Sequence, residues 1–386
     1  MREGWINKKL GDVCQVVTGS TPKTNISEYW DGNYPWVTPA ELKGDVYISD
    51  TVRHITEKAI AHTNLTLLPI GTVLLSSRAP IGKVAITTIE MYCNQGFKNL
   101  ICSDAINNKY LYLWLSGKTE YLNSLGRGAT FKEISKTIVE NVIIPLPPLS
   151  IQKSIVSELD KISELIRLKK EQLSDYDKLA QSLFNEMFGD PHYNEKGWDE
   201  VIVGDVCATK AQILRASKKF GSTDEIQYID ISSIDNLAHE MTKCTTYTMS
   251  DAPSRAQQCV IKGDIVISTV RPNLKNIAIV SNDDENLVAS SGFCILRPNK
   301  IDRNFLFHYI LSEYYTEYLV SLTTGANYPA VRDSDILKSK IYYPPISIQQ
   351  FFAQRIELIE QQKAEIQNTI ADLETLLASR MQYWFD

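Results

Sequence analysis

The amino-acid sequence predicts an α+β fold, a tandem repeat of two globular domains separated by two long α-helices that pair as an antiparallel coiled coil. Three observations predict it: the second half repeats motifs of the first, each half ends in a long stretch without glycine or proline, and both stretches carry apolar residues every 3.5 positions. The predicted globular domains are 1–146 and 191–343, and the predicted helices are 147–190 and 344–386. We expect a pseudo-twofold dumbbell.

The two predicted helices begin with the same motif. Each opens with Pro-Pro, an aliphatic residue and Ser-Ile-Gln, at Pro147 and at Pro344, and no glycine or proline follows before the predicted helix nears its end. Proline before a helix and a serine that can accept backbone N–H bonds are helix start signals, so Ser150 and Ser347 are predicted N-caps.

A regular 4-3 spacing of apolar residues runs along both helices. It selects nine apolar or aromatic residues of ten in the first helix and eight of ten in the second, in a chain that is 44% hydrophobic. This period indicates a coiled-coil seam. Lys169, Lys363 and Arg380 interrupt it, and we expect them to reach solvent or to set the register of the helices. The predicted seam comprises Ile155, Leu159, Ile162, Ile166, Leu173, Tyr176 and Leu183 in the first helix, and Phe352, Ile356, Ile359, Ile366, Ile370, Leu373 and Leu377 in the second.

Composition restricts the class of protein. With 386 residues, the chain is long enough for two domains and connecting helices. It has no apolar run of roughly 18 residues and no apolar core near its start, so we expect a cytoplasmic protein without membrane contact. Seven cysteines without Cys-x-x-Cys spacing are predicted to be reduced core residues. The net charge of −6 does not exclude nucleic acid, because the first 145 residues carry 15 basic against 13 acidic residues.

The repeat covers the globular parts as well as the helices. Leu10-Gly-Asp-Val-Cys14 returns as Val203-Gly-Asp-Val-Cys207, the apolar run that ends in Arg78 returns as one that ends in Arg271, and Gln95-Gly-Phe97 returns as Ser291-Gly-Phe293. The chain is therefore interpreted as a tandem duplication of a domain followed by a helix. For the seams to pair, the second helix must run back antiparallel and end near the N-terminus.

Catalytic motifs are not duplicated with the domains. The sequence has no Gly-x-x-x-x-Gly-Lys-Ser/Thr loop for a nucleotide phosphate, and the chain is predicted not to be an enzyme. Two globular heads related by a pseudo-twofold axis suit duplex DNA, whose backbones are themselves related by twofold axes. A helix of this length is ~60 Å long, which equals roughly 17 base pairs. We therefore predict a split target, two short sequences with an unread spacer of fixed length.

The chain resembles a known family, the specificity subunits of Type I restriction–modification systems. The resemblance rests on the Gly-Asp-Val opening of each half, on Tyr29-Trp-Asp-Gly-Asn-Tyr-Pro-Trp36, and on Ile144-Pro-Leu-Pro-Pro-Leu149 and Tyr343-Pro-Pro-Ile346. A Gln and a long helix follow each of the last two motifs. The sequence departs from the family where a Glu often precedes that Gln, since Ile151 and Ile348 stand there.

The resemblance implies a function and a set of partners. The globular parts would be target-recognition domains that read double-stranded DNA, and the helices would space them and dock two methyltransferase subunits. Restriction subunits, which are motor-nucleases, would complete the complex. S-adenosylmethionine, ATP and Mg are expected on the partner subunits, with no cofactor or metal site on this chain.

Most candidate DNA contacts lie in turns that match between the halves, and Ser20, Thr21 and Lys23 lie in a further loop of the first half. Base edges are read by Arg, Lys, Asn and Gln, and phosphates by cations and small polar groups. The alternative for the two arginines is a surface ion pair, and for the glycine loops a turn that ends a helix. The candidates are Ser20, Thr21, Lys23, Arg78, Lys83, Arg127, Thr130 and Lys132 in the first half, and Arg271, Asn273, Lys275, Asn327 and Tyr328 in the second.

Two other functions remain open at the level of sequence. The first is a coiled-coil scaffold whose globular ends bind proteins. The second is a specificity subunit that serves methylation alone, without restriction subunits. Salt dependence of DNA binding separates the scaffold, because binding through several phosphates weakens by orders of magnitude between ~50 and ~200 mM salt.

Overall fold

The fold is known from a computed structural model that describes residues 2, 4–78, 80–127, 132–325 and 329–386. The chain divides into two compact units. Unit 1 runs to Lys170 and also contains Asn368–Asp386, and unit 2 is Glu171–Gln367. Each unit combines one globular domain with part of each long helix, which agrees with the predicted tandem α+β fold.

In unit 1 the described part of the globular domain contains ten strands and five short α-helices before the first long helix. The strands are β1 (Ile6–Lys9), β2 (Cys14–Thr18), β3 (Trp30–Val37), β4 (Tyr47–Ile48), β5 (His54–Ile55), β6 (Val73–Leu75), β7 (Val84–Thr87), β8 (Tyr92–Cys93), β9 (Lys98–Cys102) and β10 (Ile143–Leu146). The helices are α1 (Leu10–Val13), α2 (Glu57–His62), α3 (Asn108–Ser116), α4 (Thr119–Ser124), α5 (Lys136–Asn141) and the long α6 (Leu149–Phe188).

Two sheets and a ladder organise unit 1. The larger sheet has the strand order β2-β9-β6-β7-β4 and the smaller one β5-β3-β8. The ladder pairs β1 with β10 antiparallel, so the first strand of the domain lies beside its last one. The main core joins Tyr110 and Leu111 of α3 to Leu159 of α6, all fully buried.

The globular domain of unit 2 follows the same plan with a different middle. Its strands are β11 (Glu200–Ile202), β12 (Glu225–Ile229), β13 (Ile234–Asp235), β14 (Glu240–Met241), β15 (Thr245–Thr248), β16 (Ala256–Cys259), β17 (Ile265–Ser268), β18 (Ile277–Ile279), β19 (Leu287–Ser290), β20 (Phe293–Leu296) and β21 (Lys340–Tyr342). Its helices are α7 (Val203–Val206), α8 (Ala216–Lys219), α9 (Arg303–Leu311), α10 (Glu313–Ser321), α11 (Asp333–Leu337) and the long α12 (Ile346–Phe385).

The sheets of unit 2 repeat only part of unit 1. β11 pairs with β21 as β1 does with β10, and the three-stranded sheet β18-β17-β20 matches the β7-β6-β9 part of the larger sheet in unit 1. The four-stranded sheet β15-β12-β19-β16 and the hairpin β13-β14 have no counterpart of the same order in unit 1. An aromatic core of Phe184, Phe188, Phe305 and Phe352 joins the long helices to α9.

Within each unit the two long helices run antiparallel. In unit 1 Glu158 accepts hydrogen bonds from Arg380 and Trp384, while Lys170 pairs with Glu374 at 2.8 Å, so one helix rises as the other descends. In unit 2 Lys363 pairs with Asp177 at 3.0 Å. The predicted seam residues are all buried or half-buried, as a shared apolar stripe between the two helices requires. Among the described helices, none is long and apolar enough to span a membrane.

The charged residues of the seam do not behave as simple solvent-reaching side chains. The side chain of Lys363 is 9% exposed and contacts Asp177, Glu360 and the β14 residue Glu240. Burial alone would lower the pKa of this ammonium group, but Glu360 and Asp177 outweigh burial and raise it. The expectation of solvent exposure is therefore wrong for Lys363, whereas its interhelical pair with Asp177 fits a role in helix register.

The predicted serine caps are also wrong. The helices begin at Leu149 and Ile346, one residue before Ser150 and Ser347. The carbonyl of Pro148 accepts the N–H of Gln152 at 3.0 Å, and the carbonyl of Pro345 accepts that of Ile348 at 2.9 Å. The second proline of each motif is thus the residue whose carbonyl opens the helix.

Two fully buried glutamines fix the start of each long helix to its own domain. Gln152 donates to the carbonyls of Pro147 at 2.8 Å and Ala105 at 3.0 Å, and accepts the N–H of Asn107 at 2.8 Å. Gln349 donates to Pro344 at 2.7 Å and accepts the N–H of Asp302 at 2.9 Å. Asn107 and Asp302 cap α3 and α9, so one glutamine in each unit links two helix starts.

Candidate nucleic-acid interface

Two loops that the sequence singles out separately are paired in unit 1. We call residues 76–83 and 126–134 loop pair 1. Arg127 and Glu133 exchange both backbone hydrogen bonds at 3.0 Å, and Ile134 donates to the carbonyl of Ser77 at 3.0 Å. The glycine loop is therefore closed on itself and joined to the end of β6. Thr130, one of the predicted contacts, lies outside the described residues.

A group of three charges occupies the junction of loop pair 1. Arg78 Nε donates to Glu133 Oε2 at 3.0 Å, and Lys98 Nζ lies 3.2 Å from Glu133 Oε1. The Lys98 side chain is 5% exposed, whereas that of Arg78 is 48% exposed. Although burial by itself raises the pKa of Glu133, hydrogen bonds from Lys98 and Arg78 lower it, so the carboxylate is ionised at neutral pH. Arg78 thus lies in a surface ion pair that leaves about half of its side chain exposed.

The other cations of loop pair 1 differ in exposure. Arg127 and Lys132 flank the closed turn and are exposed. Lys83 is half-buried, and its Nζ lies 3.4 Å from the carbonyl of Pro39. Arg127 and Lys132 are consequently more accessible than Lys83, and Arg78 is exposed as they are.

The predicted contact loop Ser20–Lys23 is fastened to β3 by indole hydrogen bonds. Trp36 Nε1 donates to the carbonyl of Ser20 at 3.0 Å, and Trp30 Nε1 donates to that of Lys23 at 3.3 Å. The Thr21 hydroxyl bonds the side chain of Gln95. Lys23 is exposed, whereas Ser20 and Thr21 are half-buried. Trp36 is 2% exposed and packs in a small buried cluster with Ile55 and Tyr92.

Unit 2 contains the same pairing, which we call loop pair 2, in residues 268–276 and 324–331. Thr324 and Ala330 exchange both backbone hydrogen bonds, at 3.0 and 3.1 Å, and Val331 donates to the carbonyl of Thr269 at 2.9 Å. Arg271 donates its backbone N–H to Pro329 at 2.8 Å. Asn327 and Tyr328 lie outside the described residues.

The turn of loop pair 2 is held in an uncommon backbone conformation. Arg271 and Lys275 have φ angles of +50° and +48°, and a 3-10 turn from Pro272 to Leu274 lies between them. Left-handed backbone at residues other than glycine costs free energy and concentrates at functional sites. Lys275 Nζ pairs with Glu313 at 2.8 Å, while Arg271 and Asn273 are exposed.

The predicted equivalence of Arg78 and Arg271 is wrong by one residue. Thr269 donates to Gly292 as Ser77 donates to Gly96, so Val270, not Arg271, corresponds to Arg78. The turn of unit 2 is one residue longer, since Ser76 donates to the carbonyl of Lys83 and Ser268 to that of Asn276. Backbone hydrogen bonds establish this correspondence. A comparison of the two arginine-containing segments by sequence alone does not show these bonds.

The group of three charges is also absent from the corresponding positions of unit 2. By the same correspondence, Val270 stands for Arg78 and Ala330 for Glu133. Phe97 bridges Ser76 as Phe293 pairs with Ser268, so Cys294 stands for Lys98. An arginine, a lysine and a glutamate in one unit are thus a valine, a cysteine and an alanine in the other.

Sequence reasoning missed the hairpin β13-β14, which lies beside loop pair 2. Asn236 Nδ2 donates to the carbonyl of Leu274 at 3.1 Å. Asp235 accepts the N–H groups of Leu237 and Ala238, which fixes the turn, and Leu237 is 86% exposed. The Asp-Asn pair is a turn signal, but nothing in the sequence places it against residue 274.

The chemistry of both loop pairs is that of binding. They offer exposed guanidinium, ammonium and amide groups near closely spaced backbone, which are the groups that contact phosphates and base edges. In the part of the chain that the structure describes, no group of His, Cys, Asp and Glu residues has the arrangement of a metal site. The arrangement has the groups expected of a duplicated reader of a charged polymer.

Comparison with known proteins identifies the family. A family model described as the Type I restriction modification DNA specificity domain matches residues 2–175 and 195–375, and the chain belongs to this family. It is a non-catalytic DNA-recognition chain with two specificity domains, as the sequence predicts. The match begins again at residue 195, so it follows the internal repeat.

Individual relatives support this assignment. The Type I restriction enzyme MjaIX specificity subunit of Methanocaldococcus jannaschii is 30% identical over 380 residues, which cover 90% of this chain and 85% of that protein. The MjaVIII specificity subunit of the same organism is 27% identical, covering 93% and 86%. The crystal structure of the S subunit from M. genitalium matches with a TM-score of 0.52 and 15% identity over 99% of this chain and 96% of that one. A chain from a study of complex assembly in a type I R-M system matches with a TM-score of 0.60 and 21% identity over 100% and 98%.

Proposed function

We propose that the chain reads the two halves of a split DNA target through loop pair 1 and loop pair 2, one half-site for each. One observation carries the proposal: both units place the same backbone-closed loop pair at the end of the same strand, with exposed cations beside it. Arg127 and Lys132 serve loop pair 1, and Arg271 and Asn273 serve loop pair 2.

The difference in side chains between the loop pairs supports two unlike half-sites. Direct reading depends on donor and acceptor patterns at base edges. Loop pair 1 presents Arg78 held by Glu133, whereas loop pair 2 has Val270 at that place and Arg271 one residue further. Two loop pairs with the same backbone hydrogen bonds and different donors select different bases.

We also propose that the chain assembles with modification and restriction subunits. Its relatives are named as specificity subunits of Type I restriction enzymes. The long helices carry exposed apolar side chains that a partner would cover, such as Leu165 at 48% exposure in unit 1 and Leu358 at 62% in unit 2. We propose two methyltransferase subunits, one for each half-site, with S-adenosylmethionine bound on them and a cytoplasmic location for the complex.

The test is a DNA-binding titration of the chain together with its methyltransferase subunits. Arg127→Ala and Lys132→Ala should each reduce the dependence of log K on log salt by about 1, because each removes one phosphate contact. Lys8→Ala serves as the control, since Lys8 is an exposed cation on β1 of the same unit and belongs to neither segment of loop pair 1. Equal slopes for all three variants and the wild type would contradict the assignment of loop pair 1 as a DNA contact.

Mapping methylated adenines tests the specificity. Arg271→Ala should alter the bases selected in one half-site and leave the other half-site and the spacer length as they are. A change in both half-sites, or in neither, would contradict the proposal that each loop pair reads one half-site.

A methylation-only subunit is the second candidate, because it would have the same loop pairs. Reconstitution with a restriction subunit decides between them. ATP-dependent cleavage of unmodified DNA is expected for the full system, and methylation without cleavage supports the second candidate.

A further inference from the structure

Two cysteines of unit 1 lie directly opposite each other on neighbouring antiparallel strands. Cys14 is the first residue of β2 and Cys102 is the last residue of β9, and the register of the ladder pairs them. Both are free thiols in this structure. The recognition chemistry described above uses neither residue.

The ladder places this pair at a spacing that suits a disulfide. The N–H of Ser103 donates to the carbonyl of Val13 at 2.9 Å, so that bond flanks the pair and Cys14 and Cys102 form a non-hydrogen-bonded pair. Cα atoms in such pairs are about 4.5 Å apart. Disulfides accept Cα separations of about 4.4–6.8 Å, so the two sulfurs can bond without a large movement of either strand.

The two thiols differ in access to solvent. Cys14 is 6% exposed, whereas Cys102 is half-buried at the end of its strand. A hydrogen bond with Cys102 and then burial raise the pKa of the Cys14 thiol. Cys14 is therefore a poor first nucleophile, and an oxidant from solvent meets Cys102 first.

Unit 2 contains a natural control for this pair. Cys207 takes the place of Cys14 after the repeated Gly-Asp-Val motif, and the residue opposite it is Pro298. The flanking bonds correspond, since Asn299 donates to Val206 and Ala208 donates to Arg297. The same backbone geometry thus occurs twice, with two thiols in unit 1 and one in unit 2.

We propose that Cys14 and Cys102 are a modification site, a dithiol that a hydroperoxide converts reversibly into a disulfide. The Cys102 sulfur attacks the peroxide, its O–O bond breaks, and Cys102 becomes a sulfenic acid with release of water or an alcohol. The Cys14 sulfur then displaces the hydroxyl group, which leaves as water. Two thiols are oxidised by two electrons, and the peroxide is reduced by two. A dithiol reductant restores both thiols.

The experiment treats the folded chain with hydrogen peroxide, blocks remaining thiols by alkylation, and maps peptides by mass spectrometry without reduction. The expected product is one linked peptide pair that contains Cys14 and Cys102 and is lighter than the two free peptides by two hydrogen atoms. Dithiothreitol should remove the link. Cys207 should remain alkylatable in the same samples.

Two variants complete the test. Cys14→Ser should abolish the link and leave Cys102 as a sulfenic or more oxidised acid. Pro298→Cys should gain a second link, between Cys207 and the introduced thiol, because the flanking hydrogen bonds already match.

The wild-type map decides the question even if a variant fails to fold. Peroxide treatment that leaves both thiols alkylatable, or that takes Cys102 to a sulfinic acid with Cys14 still free, would overturn the proposal. A link from Cys14 or Cys102 to any other cysteine would overturn it as well.

Discussion

Loop pair 1 and loop pair 2 share one pattern of backbone hydrogen bonds, although one turn of loop pair 2 is a residue longer, and they differ in the side chains at the centre of that pattern. Arg127 and Glu133 exchange the same two bonds as Thr324 and Ala330. Yet the glutamate of the first pair holds Arg78 and a buried Lys98, whereas the second pair has small or apolar residues at all three places. Because backbone hydrogen bonds hold the loops, the side chains they present are free to differ.

The same contrast holds for each unit as a whole. The ladders β1-β10 and β11-β21, the glutamines at the helix starts and the paired loops recur in both units. The five-stranded sheet of unit 1 and the four-stranded sheet of unit 2 do not correspond strand for strand. A constant frame therefore carries a variable part in each unit, and the following predictions test which residues belong to which.

The largest expected difference between the units is in pH dependence. His308 of α9 is buried against Phe184 and Phe352, and burial, with Lys363 and His239 nearby, lowers its pKa to about 4. The unfolded chain binds a proton at this residue below about pH 6.5 while the folded chain does not, so folding stability falls as the pH drops from 6.5 to 4. The loss is at most about 3 kcal/mol, since each pKa unit equals about 1.4 kcal/mol.

Hydrogen exchange of α9 against α3, followed between pH 7 and pH 4.5 with correction for intrinsic rates, measures this effect. His308 is the sixth residue after the N-cap of α9. The sixth residue after the N-cap of α3 is Leu113, whose side chain does not titrate. His308→Phe should remove most of the pH dependence of α9, and His62→Gln, at an exposed site, should not change it. Equal acid sensitivity of both helices in the wild type would contradict the prediction.

The second effect concerns the buried glutamines. Gln152→Ala leaves two carbonyls and one N–H without their partner, whereas Gln349→Ala leaves one carbonyl and one N–H. At about 1 kcal/mol for each lost bond, the free energy of local unfolding should fall by about 3 kcal/mol in unit 1 and about 2 kcal/mol in unit 2.

Exchange rates at the starts of α3 and α9 report these losses separately in the full chain. Gln361→Ala, at an exposed position of α12, provides the control. A change of less than about 0.5 kcal/mol in either unit, the range of ordinary surface substitutions, would show that the glutamine does not anchor the helix start.

The third prediction concerns the group of three charges in loop pair 1, whose counterparts in loop pair 2 are small or apolar residues. Glu133→Ala leaves the ammonium group of Lys98 buried without its carboxylate, and unit 1 should lose about 2 kcal/mol, below the range for fully buried pairs because Glu133 is 35% exposed. Lys98→Met in the same chain should restore most of the loss. Chemical denaturation with an exchange readout for β9 measures both, and a double-mutant cycle isolates the pair. Additive losses would mean that the two residues do not interact.

The smallest effect on stability, and a clear one on recognition, is expected from exchanging the junction. Arg78→Val, Lys98→Cys and Glu133→Ala together give loop pair 1 the residues of loop pair 2. Since apolar replacement of an ion pair is often nearly neutral, stability should change by less than about 1 kcal/mol. Adenine methylation should then shift in the half-site that loop pair 1 reads. An unchanged target sequence would show that these three residues belong to the part of the fold that both units share and not to the part that selects bases.

Local patterns in the sequence were sufficient for the frame. The period of 3.5 predicts a seam from Ile155 to Leu377, and these residues are buried or half-buried because two helices must share one apolar stripe. Proline pairs predict where the helices start, but Ser150 is not the cap, because the carbonyl of Pro148 already fills that role. Residue propensities predict the region in which each long helix starts, whereas the backbone hydrogen bond determines the residue at which it starts.

Contacts between distant residues could not be predicted in this way. Glu133 meets Lys98 across 35 positions and Arg78 across 55, and no local pattern links them. Lys363 appears in sequence as an interruption of the seam, yet a carboxylate from β14 and two from the long helices surround it. The pairing of the two loops likewise depends on sheet register, which brings together segments that the chain separates widely.

The ladders β1-β10 and β11-β21 have a mechanical consequence. In each unit the first and the last strand of the globular domain pair with each other, so the chain enters and leaves the domain at the same place. An insertion or deletion between these two strands changes the length of the chain in the domain but not the positions of the paired strands. The first turn of each long helix therefore keeps its position while the loops that we propose to read DNA are exchanged.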